Sequence, residues 1–373
     1  MASSTQPFRE HPTPSLALKR FTAGKTQGSI EDPFLDDRVF ILNPKEKGTF
    51  ILGPQFTGEI PASLSLYYPR LGDADIRAYL AIDWQNFPRR SFPCWPTLDK
   101  DWKNGTTRML AEKSDDLEKV GLKNIIVFLR RGISQNPPLI QAALAFWDPS
   151  FNFFRFNCGM MAPTVLDVTQ ILGLIPYGPQ FDPTKDYAVP EGFVCLTATN
   201  GAFSHFYSRE KKLSGDVSEI EFFAYILYTL CKYILCHSGK RVMSEFIPLA
   251  LALSRGEMFD FASYFLGHVY KVGSYFHQKG LNYSQRGPQW FVQLWLHAYF
   301  SELGPFEAPV SPAGIPETPN IHGDNYVRIV ANETHTLVHY LCFFSGLASD
   351  REWSCPFFVQ IGPSWLFDIL ANR

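Results

Sequence analysis

The chain of 373 residues weighs 42.4 kDa, enough for one large domain or two ordinary ones with a sizeable buried core. With 46% hydrophobic and 19% charged residues it is not a disordered chain. A formal net charge of -2 and an isoelectric point near 6.5 give no bulk attraction to nucleic acid or anionic membrane, so any such affinity has to come from a local basic patch.

The N-terminal MASSTQPFREHPTPSLALKRFTAGKTQGS holds Ser, Thr, Pro and basic residues with Glu10 as its acid, and reads as a flexible tail over residues 1–30. A transit peptide is the alternative, although an Arg-rich amphipathic face is missing. In VFILNPKEKGTFILGP a Phe-Ile-Leu-x-Pro unit occurs twice around Lys45, Glu46, Lys47 and Gly48, which predicts a β-hairpin with proline ending each arm. With its irregular continuation it makes an extension over 31–80. From Ile60 to about Arg108, Pro69, Pro88, Pro93 and Pro96 interrupt any long period, and Trp84, Trp95 and Trp102 are expected to anchor the segment to a main body.

Helical patterning dominates afterwards, and residues 81–373 read as one domain. LIQAALAFW sets Leu139, Ala142, Ala143 and Phe146 on one stripe, stopped by Asp148-Pro149. Glu219 to His237 reads as a central helix, apolar nearly all round. FFAYILYTLCKYILC inside it is too short to span a bilayer and contains Lys232. The next run breaks at Arg255-Gly256 into two helices, the second with Phe261, Phe265, His268, Val269 and Val272 on a shared face. PQWFVQLWLHAYFSEL starts with Pro288 at a first-turn position and repeats Trp290, Leu294, Trp295 and Tyr299 at helical spacing. Gly304 to Asn320 is a proline-rich, acidic surface loop, and VRIVANETHTLVHYLCFF closes as a helix or a strand pair. The fold class is therefore mainly α: a large helical domain with a small β-hairpin extension and a few short strands.

The stretch FRFNCGMMAPTVLDVTQILGL joins a strand pattern to a capped helix, the layout of an elbow that can carry chemistry. Phe154, Phe156 and Cys158 alternate with Phe153, Arg155 and Asn157 as in a half-buried strand, and Gly159 permits a turn. Thr164-x-x-Asp167 then forms a capping-box pair, Val165, Val168, Ile171 and Leu172 make a buried stripe, and Gly173 stands where a C-terminal cap belongs. Such an elbow is a nucleophile site in some enzymes, but its turn carries Cys158 with Met160, Met161, Ala162 and Pro163 in place of donors, so the thiol reads as buried rather than reactive.

The order strand, Gly159, Met, Pro163-Thr164, Asp167-Val168 and Leu-Gly173-Leu, followed by a Gly and an Asp-Pro, resembles the plant mobile domain, a transposon-related family often labelled aminotransferase-like. The resemblance continues upstream in LIQAALAFWDPSFN and downstream in PLALALSRGEMFDFASYFLGHVYKV, with Arg255 and Gly256, and in GPQWFVQLWLHAYF, with Trp290 and Trp295. Phe156 ends its strand. The sequence departs from the family pattern at Met160, Ala162 and Leu166. The resemblance implies a mostly helical domain of plant transposable elements and of host genes derived from them. It further implies nuclear roles in meristem maintenance, genome stability and transposon silencing, sometimes with a protein-phosphatase-like partner, and no established catalysis.

The residues themselves support little enzymology. Ser208-x-x-Lys211 lies in a charged segment without a phosphate-binding loop, so no pyridoxal phosphate site is expected. TAGKT at Thr22–Thr26 has Lys19 where a phosphate loop needs its first Gly. His335 and His339 would share a helix face, but Thr336 stands where a zincin has Glu, so no metal is expected; Cys231 and Cys236 point to different sides of a helix. The seven cysteines are dispersed and suit buried thiols, and the sequons at Asn104, Asn282 and Asn332 are read as chance. For nucleic acid, Arg89-Arg90, Arg130-Arg131, Lys211-Lys212 and Lys240-Arg241 are pairs rather than clusters, each either solvated charge or part of a patch assembled by folding. Trp290 and Trp295 fill a core or present a stacking platform. The leading reading is a non-enzymatic nuclear protein-interaction module without cofactor or membrane span; the alternative is a nucleic-acid-binding component of a transposable element.

Overall fold

The computed structural model describes residues 94–148, 152–182, 187, 215–236, 242–279, 287–304, 321–327 and 335–348. The expected tail, the hairpin, most of the 304–320 loop and the pairs Arg89-Arg90, Lys211-Lys212 and Lys240-Arg241 lie outside these residues. Within them the chain is mainly α-helical, with one short antiparallel sheet in the order β1-β2-β3.

Helix α1, Lys100–Glu112, starts where an irregular segment is expected. Pro93 and Pro96 both precede Asp99, whose side chain accepts the Trp102 amide and starts the helix; Trp102, Gly105, Thr106 and Met109 then form its buried face. Short helices α2 (Ser114–Lys119) and α3 (Lys123–Leu129) follow. Helix α4, Pro137–Ala145, begins two residues ahead of its apolar stripe, because Asn136 caps it and proline is tolerated in a first turn. It ends before Trp147, which opens β1 (Trp147–Asp148).

Strands β2 (Phe153–Phe156) and β3 (Gly159–Met161) form a hairpin across the two-residue turn Asn157-Cys158, with Phe156 opposite Gly159 and Phe154 opposite Met161; β1 pairs on the other side of β2. The expected strand-turn-helix elbow is thus a hairpin followed by a helix. Gly159 belongs to the return strand, where Met160 and Met161 continue the pairing. As the central strand, β2 also buries Phe153, which strict alternation placed on the open face.

Helix α5, Val165–Leu172, is buried along its whole length and ends on Gly173 in the left-handed conformation at φ 72°. A Cβ at Gly173 would lie 2.9 Å from Ile321 Cγ2, so space and backbone both require glycine. Helix α6, Glu219–Thr229, runs into a π-turn over Leu230–Ile234 instead of continuing as α-helix to His237. After a 3₁₀ turn at Ser244–Phe246 come α7 (Ile247–Ser254) and α8 (Phe261–Lys279), separated at Arg255 and at Gly256, φ 78°. Helix α9, Gln289–Tyr299, has Pro288 as its cap residue rather than inside the first turn. The last segment resolves as helix α10, Leu337–Gly346.

Helix α10 lies along α4, α6 packs on α7, and α8 covers α5 and β1. Trp102, Trp147, Trp290 and Trp295 are fully buried, so the aromatic excess is packing and neither Trp290 nor Trp295 offers a platform. The rings form a continuous lattice through the sheet: Phe154 stacks on Phe156 at 5.3 Å and on Trp295 at 5.4 Å, and Phe156 stacks on Phe344 of α10 at 4.5 Å. Backbone and side chain of Asn157 extend the tie, donating to the carbonyls of Phe344 and Leu347.

Candidate functional site

Two carboxylate-centred clusters of hydrogen-bonded side chains stand out among the described residues. The first is built at the start of α5, on the predicted capping box. Asp167 is fully buried, its Oδ2 accepting the Thr164 amide at 2.6 Å and the Thr164 hydroxyl at 2.9 Å, while its own amide donates to Thr164 Oγ1 at 3.3 Å. Tyr299, from the end of α9, donates to Oδ1 at 2.7 Å, and Tyr270 of α8 donates to the Pro163 carbonyl at 2.5 Å. Burial pushes the Asp167 carboxyl up to about 7, against the downward pull of Tyr299, Thr164 and Trp295. No cation faces it among the described groups that shift it. The same carboxyl raises Tyr270, after burial has already done so. The cluster therefore ties α5, α8 and α9 together around a carboxyl whose hold on its proton is strengthened by burial, and it is closed to solvent.

The second cluster lies at the partly open junction of α1 and the π-turn. Asp99 Oδ1 accepts the Trp102 amide at 2.7 Å, while Oδ2 accepts the hydroxyls of Tyr228 at 2.6 Å and Tyr233 at 2.8 Å, and the Lys232 ammonium. Tyr228 and Tyr233 are five residues apart. An α-helix would turn them away from each other, whereas the i→i+5 pattern of the π-turn lines them up, and such turns concentrate at functional sites. The turn is held by side chains and a loop: Cys236, itself at the strained φ 46°, donates through Sγ to the Lys232 and Tyr233 carbonyls, Trp290 Nε1 donates to the Ile234 carbonyl, and the Gly287 amide donates to that of Cys236. Burial raises the Asp99 carboxyl, but Lys232, Tyr228, the Trp102 amide and Tyr233 outweigh it and hold the group below the usual carboxylate range. Tyr228 and Tyr233 are both pushed up, first by burial and then by negative neighbours.

The sequence places Lys232 in an apolar run and Tyr299 on a packing stripe, but assigns no site role to either of them or to Asp99, Tyr228 or Tyr233. The one available signal was Lys232 itself, a cation inside an otherwise apolar run. Of the residues it did single out, Phe156, Gly159, Pro163, Thr164, Asp167, Val168 and Gly173 are brought together in the hairpin and α5, with Trp295 against β2. Arg255 and Gly256 end α7, and Trp290 sits on the far side of α9, against Phe128 and Phe265.

The remaining candidates are placed plainly. Cys158 is buried in the hairpin turn; Cys94, Cys231 and Cys236 are buried thiols too, whereas Cys342 is exposed, contrary to the expected burial. His335 precedes the α10 cap, Thr336, so only His339 is helical, and the rings stack at 3.9 Å and 12°. Two parallel imidazoles cannot both aim a lone pair at one ion. Among the described residues no group of three or more His, Cys, Asp or Glu is placed to hold a metal, and no helix is long and apolar enough to cross a membrane. Lys211 lies outside the described residues.

The Arg130-Arg131 pair does not form a surface patch. Arg131 is buried and ion-paired to Asp324 at 2.5 Å, and Arg130 is buried, donating to Thr107. Arg108 likewise turns inward, gripping the buried Glu221 through Nε at 3.0 Å and Nη2 at 3.3 Å.

The helical fold, with a hairpin preceding a capped α5 and a break at Arg255-Gly256, defines a mainly α-helical domain protein. The model of the plant mobile domain family matches residues 121–330, and the chain belongs to that family. Comparison with curated proteins and with solved structures gives no match.

Proposed function

We propose that the protein is a non-enzymatic interaction module of the plant mobile domain type that works in the nucleus with protein partners. One observation carries the reading: among the described residues, four acidic side chains with buried or hydrogen-bonded carboxylates are committed to joining elements of the fold. Asp167 joins α5 to α9, Asp99 joins α1 to the π-turn, Glu221 joins α6 to α1, and Asp324 neutralises Arg131. Family membership supports the setting, which by resemblance is transposon silencing, genome stability and meristem maintenance, with a protein-phosphatase-like subunit as one class of partner.

The test is affinity purification of the tagged full-length protein from plant nuclei, with and without nuclease, followed by mass spectrometry. The same stoichiometric protein partner is expected under both treatments. Loss of all partners with nuclease would instead support the nucleic-acid-binding alternative and overturn this reading.

A further inference from the structure

Arg108, Arg130 and Arg131 all turn inward, and two of them meet carboxylates. Arg108 is answered by Glu221 and Glu112, and Arg131 by Asp324. Arg130, the residue that ends α3, meets none among the described residues. It is 9% exposed, its Nε is buried without a partner, and its side chain makes one hydrogen bond, from Nη2 to the Thr107 hydroxyl of α1 at 3.1 Å. A guanidinium stays charged and carries five N–H donors, so a buried one normally faces a carboxylate or a phosphate. Burial raises the Tyr225 hydroxyl, and the Arg130 charge is among the influences that pull it back.

Thr107 stands between that cation and solvent. It is exposed on a ridge of α1 shared with Lys100 and Lys103, which are exposed too and stand at helical spacing from it. Its hydroxyl donates to the Lys103 carbonyl at 3.1 Å while it accepts Arg130. A phosphoryl group on that oxygen would set acceptor oxygens one bond beyond a contact that Arg130 already makes, with Lys103 one turn away on the same face. The nearest acids do not compete, since Glu112 and Glu221 are held by Arg108. The adjacent hydroxyl is unlike it: Thr106 is fully buried against the Tyr225 hydroxyl at 2.9 Å, so of the two neighbours Thr107 is the one an outside reagent reaches.

We propose that Thr107 is a phosphorylation site whose phosphoryl group supplies the counter-charge to Arg130 and so ties α1 to the end of α3. The donor is ATP, delivered by a protein kinase. Thr107 Oγ1 bonds to the γ-phosphorus, the bond from that phosphorus to the β–γ bridging oxygen breaks, ADP leaves, and the hydroxyl proton passes to the catalytic base of the kinase. The product carries a charge of about −1.5 to −2 at neutral pH and three acceptor oxygens. It turns a basic ridge into one of mixed charge. The proposal stands apart from the interaction-module reading, because it concerns the covalent state of this chain and not what the chain binds.

The test starts with the full chain purified from plant nuclei in the presence of phosphatase inhibitors and mapped by mass spectrometry. A phosphoryl group localised to Thr107 is expected, and a fully recovered, phosphate-enriched digest in which Thr107 is always unmodified overturns the proposal. The full chain made with phosphothreonine installed at position 107 is then compared with the unmodified chain. Its Tm should rise by about 2–4 °C. Its second phosphate ionisation, followed by phosphorus NMR, should fall about one unit below the ordinary value of about 6. Arg130→Lys should keep most of that fall and Arg130→Gln should abolish it. An ionisation at the ordinary value in the phosphorylated chain with Arg130 intact sinks the pairing, whether or not Arg130→Gln folds. Inorganic phosphate added to the unmodified chain tests the other source of an anion: an equal rise in Tm would assign Arg130 to a free anion and overturn the assignment to Thr107.

Discussion

Asp167 and Asp99 are both N-terminal helix carboxylates bound by hydroxyls and a backbone amide, yet burial wins at one and loses at the other. Asp167 has Tyr299 and Thr164 but no cation, and its carboxyl rises to about 7; Asp99 has Tyr228 and Tyr233 with Lys232, and falls below its usual range. Hydroxyl donors alone do not offset full desolvation, whereas one ammonium in a half-open site does. The closed cluster is built for packing. The open one keeps a charge pair partly exposed to solvent at the junction of α1 and the π-turn.

The largest effect is expected from breaking the closed cluster. Asp167→Ala removes the capping box and strands the Tyr299 hydroxyl and Thr164 in the core, and should cost about 3 kcal/mol of unfolding free energy in urea denaturation. Asp99→Ala removes a cap in a half-open site where water can reach the tyrosines, and should cost about 1–2 kcal/mol in the same assay. A loss at Asp99 exceeding that at Asp167 would reverse the comparison.

The pH dependence sharpens it further. Asp167 has a folded value of about 7 against 3.8 unfolded, so between these the folded chain holds the extra proton. The stability this gives is fully present below pH 3.8, declines as pH rises through the window, and is gone above about 7. Asp167→Asn should therefore flatten the fall in Tm between about pH 4 and about pH 7. Asp99 has the opposite sign: its stabilisation is present above its unfolded value of 3.8 and is lost as pH falls through the depressed folded value. Asp99→Asn should lower Tm in the neutral range, where the ionised carboxylate stabilises the fold, and reduce the further loss of stability in acid, measured by circular dichroism. The smallest effect is expected from Tyr233→Phe, which keeps the Trp102 stack and removes one of the donors to Asp99, at about 1 kcal/mol.

The two clusters also differ in how far the sequence discloses them. Thr164-x-x-Asp167 and Gly173 are local signals, set by backbone geometry within one helix, and the α5 cap is readable from them. Tyr299 is invisible there, since its bond to Asp167 spans 132 positions. At the open cluster every step is non-local or depends on an irregularity. Asp99 meets residues 129–134 positions away, and the π-turn that aligns Tyr228 with Tyr233 has no signature beyond a lysine in an apolar run. Helix periodicity itself misleads there, because it turns those side chains apart. At the hairpin, Met160 and Met161 read as filler between turn and helix, although they pair with Arg155 and Phe154. Arg130-Arg131 reads as surface charge because sequence does not show the Asp324 that receives it. Mainly helical architecture was legible throughout, since it depends on short-range period, whereas ion pairing and strand pairing depend on the fold.

The position of α10 bears on how this family should be handled at the bench. The matched segment ends at residue 330, while α10 spans Leu337–Gly346. Its Phe344 ring lies 4.5 Å from Phe156 and 5.8 Å from Phe146, and Tyr340 receives the Asn136 amide that belongs to the α4 cap. An expression fragment trimmed to 121–330 would lose this cover and present the aromatic side of the hairpin to water, a sticky surface rather than an independently soluble unit. A fragment meant to fold has to retain both the capped helix that begins after Asp99 and the helix that closes over Phe156.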